Sequence, residues 1–102
     1  MLMMLVELDA ARWKTQSDLY DALATGILAP PGHGRGATEI VDSLVHGGMG
    51  TIEPPLRIRI RNLHRASRAV VEEVLSLRDR LQQACDGRRM QGVEAEIDVE
   101  IT

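Results

Sequence analysis

Two short segments of this chain alternate in register with opposite charges. Leu56-Arg57-Ile58-Arg59-Ile60-Arg61 interleaves apolar residues with arginine. Val93-Glu94-Ala95-Glu96-Ile97-Asp98-Val99-Glu100-Ile101 interleaves them with acids. A two-residue period describes a half-buried strand with one wet face. As neighbours, the two strands set a guanidinium row beside a carboxylate row on the same open face. Each cross-strand pair would then contribute about 0.2–1 kcal/mol, and less where fully exposed. Such complementarity selects register and partner more than it adds stability.

Between these strands Ala66, Ala69, Val70, Val74, Leu77, Leu81, Ala84 and Cys85 recur at three- and four-residue steps, which predicts a helix from about Ala66 to Asp86. Arg68 and Glu72 stand one turn apart, and Gly87 supplies a stop. Strand, long helix, strand is a parallel crossover unit. The front half repeats it. Residues 1–8 read as an apolar first strand, and Thr15 or Ser17 caps a helix carrying Leu19, Ala22, Leu23 and Ile27. Pro30-Pro31 ends that helix. A second helix from about Ala37 to Val45 buries Ala37, Ile40, Val41, Leu44 and Val45 and stops at Gly47-Gly48. Pro54-Pro55 then leads into the arginine strand.

Three parallel strands joined by right-handed crossovers stepping one way put every helix on one face. The expected fold is α/β: a two-layer, three-stranded parallel sheet of order 1-2-3, the arginine strand central, helices packed on one face and the other face open. In the first strand Met1, Met3 and Leu5 share one face and Leu2, Met4 and Val6 the other. One set is core. The other is either an apolar strip on the open face, suited to self-association, or part of a ragged terminus with scattered methionines.

The length of 102 residues suits one domain, residues 1–102. Aromatics are 2% of the chain, so a stacking platform for single-stranded nucleic acid is not expected. A net charge of −3 argues against direct nucleic-acid binding. The N-terminal apolar run is interrupted by Glu7 and Asp9, too short for a membrane span and without the basic leader of a signal peptide. Cys85 is the only cysteine, which excludes an intramolecular disulfide and points to a reducing compartment. It reads as a small core residue, and Trp13 as a packing lid. His33, His46 and His64 fall at no metal-ligand spacing. No nucleophile stands with a base, so neither a metal, a cofactor nor an enzyme is expected.

The stretch for function is residues 30–46. Glycines at 32, 34 and 36 lead into the second helix, whose outer face offers Thr38, Glu39 and Asp42. Such a loop lets backbone approach a partner closely, and Glu39 and Asp42, three apart, can reach that partner together. A dinucleotide reading fails, because that fingerprint follows a strand and this loop follows a helix and two prolines.

The order of elements resembles the barstar family of intracellular ribonuclease inhibitors. The resemblance rests on Ser17-Asp18-Leu19 opening a helix that ends in Leu28-Ala29-Pro30. It also rests on His33-Gly34, on Asp42-Ser43-Leu44 eight residues after that glycine, on Pro55-Leu56 and on Gly92 before the last strand. It implies inhibition by plugging, in which the second helix and the loop before it enter a nuclease active site and a carboxylate replaces the substrate phosphate. Asp42 matches that carboxylate and Gly34 the loop glycine. His33 stands where the family has an aromatic, and Thr38 where a second acid is common. Arg35, Gly36 and Val41 depart from the family pattern and make this face less acidic and less aromatic.

The expectation is a cytoplasmic barstar-like inhibitor of another protein, a ribonuclease or other toxin among the targets. It would insert loop 32–36 and helix 37–46 into a cationic active site. The partner-binding residues are His33, Gly34, Arg35, Thr38, Glu39, Asp42 and His46, with residues 46–51 as a further contact. The alternative is a homo-oligomeric structural or regulatory protein that keeps the fold, its copies meeting through the open sheet face.

Overall fold

A computed structural model of the chain describes residues 3–30, 34, 36–46, 54–93 and 95–102. Strand β1 (Met4–Asp9) is followed by helix α1 (Gln16–Gly26) and helix α2 (Ala37–His46). Strand β2 (Leu56–Arg61), a 3-10 turn at Leu63–Arg65, helix α3 (Arg68–Met90) and strand β3 (Ile97–Ile101) complete the order. The sheet is parallel with order β1-β2-β3, the topology that the two charge-alternating segments implied.

Register is what turns the pattern into a fold. Val6 pairs with Ile58, and Ile58 with Val99; Glu7 pairs with Arg59, and Arg59 with Glu100. One face of the sheet therefore collects Val6, Leu8, Leu56, Ile58, Ile60 and Ile97 against the helices. From these, Leu56, Ile58 and Ile60 are at most 1% exposed. Each such side chain taken fully out of water contributes about 1.5–3 kcal/mol. The helices answer with Leu19, Leu23 and Ile27, then Ile40 and Leu44, then Val70, Val74, Leu77 and Leu81, all buried. Trp13 and Cys85 are buried among them, as their sequence context indicated.

In β1 it is Val6 and Leu8 that turn toward the helices, and Leu5 that lies on the open face, 48% exposed. Met4 shares the face of Val6 yet is 52% exposed, since it stands at the strand's first position. Met1 and Leu2 lie outside the described residues.

Several boundaries differ from the sequence reading. Helix α1 ends at Gly26, before the prolines. Leu28 takes a left-handed conformation (φ 63°), and the Leu28 N–H donates to Thr25 O while the Ala29 N–H donates to Ala24 O. That is a Schellman closure with leucine at the position glycine usually fills. Helix α3 begins at Arg68, capped by Ser67, and runs through Gly87 to Met90. Ala66 therefore precedes it, and Ala69 faces solvent. The true stop is Gly92 (φ 79°), where the Gly92 N–H donates to Arg89 O and the Val93 N–H to Arg88 O. A helix ends where the backbone can leave it with its last carbonyls satisfied, and Gly92, not Gly87, meets that condition. The same closure uses Val93, so β3 opens only at Ile97. The stop assigned to Gly47-Gly48 lies outside the described residues.

Of the two proposed caps for α1, Thr15 is the one used. Its Oγ1 accepts from the Asp18 N–H at 3.3 Å, and Asp18 Oδ2 accepts from the Thr15 and Lys14 N–H groups at 3.1 and 2.8 Å. Those backbone donors hold the Asp18 carboxyl below its ordinary pKa.

Candidate functional site

Helix α2 is short and lies against α3. Its packing side is Ile40, Leu44 and Val45, with Ser43 also buried and Ala37 and Val41 at the margin. Burial of Ser43 was not expected from the apolar pattern. The other side carries Thr38, Asp42 and His46, all exposed. These residues are spaced four apart and so form one stripe along the helix. At 1.5 Å per residue the stripe spans about 12 Å.

Glu39 does not join them. The Gly36 carbonyl accepts the first helical bond from the Ile40 N–H at 3.1 Å, which makes Gly36 the residue at the helix threshold. The Glu39 side chain folds back over that threshold. A Cβ added at Gly36 would lie 2.5 Å from Glu39 Oε2, and one added at Gly34 would collide with the Glu39 side-chain stem. Close approach at Gly34 is thus made by the chain's own Glu39. The carboxylate sits where the unpaired amides and positive end of a helix favour it. His33 and Arg35 lie outside the described residues, as do Gly32 and residues 47–51 of the second proposed contact loop.

What sequence reasoning missed is the opposite wall. Between α2 and α3 runs a shallow groove of about 500 Å³. Thr38, Val41 and Asp42 line one side, and Arg80, Gln83 and Ala84 the other. Ala37, Val41 and Ala84 are half-buried and form its floor. Among the described residues no ion pair joins Asp42 to Arg80 or engages either one. Arg80 lies four residues after Ser76 on the exposed side of α3, and its pattern alone marks it only as a solvated charge.

Beside this wall Tyr20 of α1 donates its hydroxyl to Glu73 Oε1 of α3. Burial, then that bond and the Glu73 charge, raise the tyrosine pKa well above its ordinary range, with Arg80 opposing. The pair ties α1 to α3 and fixes the helix that carries Arg80.

The open sheet face is built differently. Its charges form one continuous chain: Asp98 to Arg57 at 3.1 Å, Arg57 to Glu100 at 3.7 Å, Glu100 to Arg59 at 3.3 Å, Arg59 to Glu7 at 3.2 Å and Glu7 to Arg61 at 3.3 Å. The sequence placed the arginine and acidic rows side by side. The structure adds Glu7 of β1 as a third row. Asp9 at the edge accepts from the Asn62 side chain at 3.0 Å and the Ala11 N–H at 2.9 Å, and these donors lower its pKa.

A second hollow of about 550 Å³ lies at the amino ends of β2 and β3, lined by Pro55, Arg89, Val93, Ala95 and Glu96 among others. Arg89 there is already paired with Asp86 at 2.9 Å. Cys85 is buried, and burial pushes its thiol pKa up, the opposite of what an attacking thiolate needs. Among the described residues no three His, Cys, Asp or Glu side chains converge where a metal ion could sit, and no helix is long and apolar enough to cross a membrane. No protein-family model and no curated protein matches this chain.

Proposed function

We propose that the chain is a barstar-like, cytoplasmic binding protein that inhibits another protein, a nuclease being the target class. Loop 32–36 and α2 enter the partner's cationic active site, and the molecule acts by occupation, not catalysis. The observation that carries this reading is the exposed Thr38–Asp42–His46 stripe, with Asp42 at the rim of a groove on a short, well-anchored helix and in no ion pair among the described residues. An exposed carboxylate gains little in water. Desolvated against arginine or lysine in a partner, it acts as a charged anchor whose loss costs about 2–5 kcal/mol. The lone, buried cysteine fits a reducing compartment.

The test is capture of a partner from lysate by wild-type protein and by Asp42→Ala in parallel, followed by an activity assay of the captured protein. A partner that is held and inhibited by wild type but lost by the variant supports the reading. Equal capture by both removes Asp42 from the site.

Self-association is the second reading, and exposed Met4 and Leu5 on edge strand β1 favour it. Sedimentation of wild type and Leu5→Glu separates the two. A dimer lost in the variant favours association through the sheet side, and a monomer at all concentrations dismisses it.

A further inference from the structure

We infer that the α2–α3 groove recognises its partner as one unit, and that its occupant is a protein segment presenting a basic side chain to Asp42 and an acidic one to Arg80, with an apolar side chain between. The inference rests on the binding reading above and specifies the chemistry of the surface that is bound.

Three observations carry it. First, Glu39 is folded over Gly34 and Gly36, so α2 offers the groove one carboxylate and not two. Second, Arg80 stands on the facing wall with no ion-pair partner among the described residues. The groove is therefore bipolar, and a wholly cationic surface laid over it would set a like charge against Arg80 while satisfying Asp42. A surface carrying a carboxylate beside its cation satisfies both. Sites that handle phosphodiesters have that composition, because a carboxylate base works beside the cations that hold the phosphate. Third, the half-buried Ala37, Val41 and Ala84 line the groove, and the volume of about 500 Å³ suits three side chains. Thr38 and Gln83 supply neutral hydrogen-bonding groups at its rim.

Asp42 and Arg80 could instead neutralise each other. They are not paired in the structure, and an exposed pair of this kind contributes little in water. A ligand that engages both charges and excludes water from the apolar floor outcompetes that pairing.

The experiment is selection of a displayed random-peptide library on immobilised wild-type protein, followed by titration of the enriched peptides against Asp42→Ala, Arg80→Ala and the charge-exchanged Asp42→Arg/Arg80→Asp protein. Circular dichroism confirms that each variant is folded. The expected result is enrichment of peptides with a basic and an acidic residue flanking an aliphatic one, bound at least about tenfold more weakly by either single variant. The exchanged protein should prefer the charge-reversed peptide. Enriched peptides that bind Arg80→Ala as tightly as wild type, or no enrichment at all, overturn the inference. The two readings fail separately. If Asp42→Ala loses the lysate partner while Arg80→Ala keeps it, the inhibitor reading stands and the two-walled groove falls.

Discussion

The open face of the sheet and the groove between α2 and α3 are both rich in charge, but they spend it in opposite ways. On the sheet, Asp98, Arg57, Glu100, Arg59, Glu7 and Arg61 form an unbroken alternation in which every charge has a partner. In the groove Asp42 and Arg80 face the same space and have none among the described residues. A paired row is stable in water and has little to offer a ligand, since any newcomer must first displace an existing partner. An unpaired charge beside an apolar floor has its interaction free energy still to be realised. The difference separates a surface that organises the fold from one suited to recognition.

The largest expected effect tests the groove alone. Asp42→Ala should weaken partner binding by about 2–5 kcal/mol, measured by calorimetry. Its unfolding free energy should stay within about 0.5 kcal/mol of wild type, because the side chain is exposed and joins no ion pair among the described residues. A matching loss of stability would mean that Asp42 is structural and would blur the distinction. The next largest acts from beneath the sheet. A Cβ at Gly26 would lie 2.8 Å from Val6 Cγ1 and 3.1 Å from Leu8 Cδ2. Gly26→Ala should therefore cost about 1–3 kcal/mol in urea unfolding through overpacking, with binding by the groove unaffected.

Alkaline pH should separate the layers. The Tyr20 pKa is raised in the folded state, so its contribution is complete below the ordinary tyrosine value, about 10, and is lost as pH rises above it. Arg59 is held charged beyond its ordinary range, chiefly by its hydrogen bonds to Glu7 and Glu100. The helix layer should thus lose stability first while the sheet ladder keeps its charge. A Tyr20→Phe protein should show a flatter stability profile above that pH, and an unchanged profile would remove the tyrosine from the account. On the acid side the sign reverses. Asp9 and Asp18 have lowered values, so their contribution is present at neutral pH and lost as pH falls through the carboxylate range. The smallest effect tests the ladder itself. A double-mutant cycle on Arg57 and Asp98, which are 3.1 Å apart and about half exposed, should give a coupling of about 0.2–1 kcal/mol that shrinks in high salt.

The sheet was the most legible part of the molecule, because a two-residue alternation leaves only one way to hide Leu56, Ile58 and Ile60 while wetting Arg57, Arg59 and Arg61. The acidic strand was readable for the same reason, although β3 itself begins only at Ile97 and Val93 belongs to the exit from α3. Helix ends were harder. Gly87 and Gly92 are the same residue type five positions apart, and nothing local says which one leaves the helix. At Gly87 an added Cβ would meet nothing, so the helix simply continues through it. Leu28 carries the opposite lesson, since a leucine holds the left-handed position that a sequence reader assigns to glycine.

The site was legible on one wall only. Thr38 and Asp42 follow from the helical period of α2, and the structure keeps both on its exposed stripe with His46. Glu39, one turn before Ser43, has the same spacing logic as its neighbours, yet its side chain lies back over Gly34 and Gly36, where the positive end of a helix favours a carboxylate. Arg80 was invisible because a single arginine on the polar side of an amphipathic helix has no pattern to mark it.

From the sequence alone came the period of each element, the order of the strands and the sign of the charge on each row. These follow from local geometry, in which side chains alternate along a strand and recur every three to four residues along a helix. The three-dimensional structure decided which glycine ended α3, which carboxylate of α2 lines the groove and which residue from 38 positions further along the chain faced Asp42. The first two outcomes turn on backbone closure at Gly92 and on how Glu39 lies over Gly34 and Gly36, and the third on the packing of α2 against α3, none of which a local period encodes.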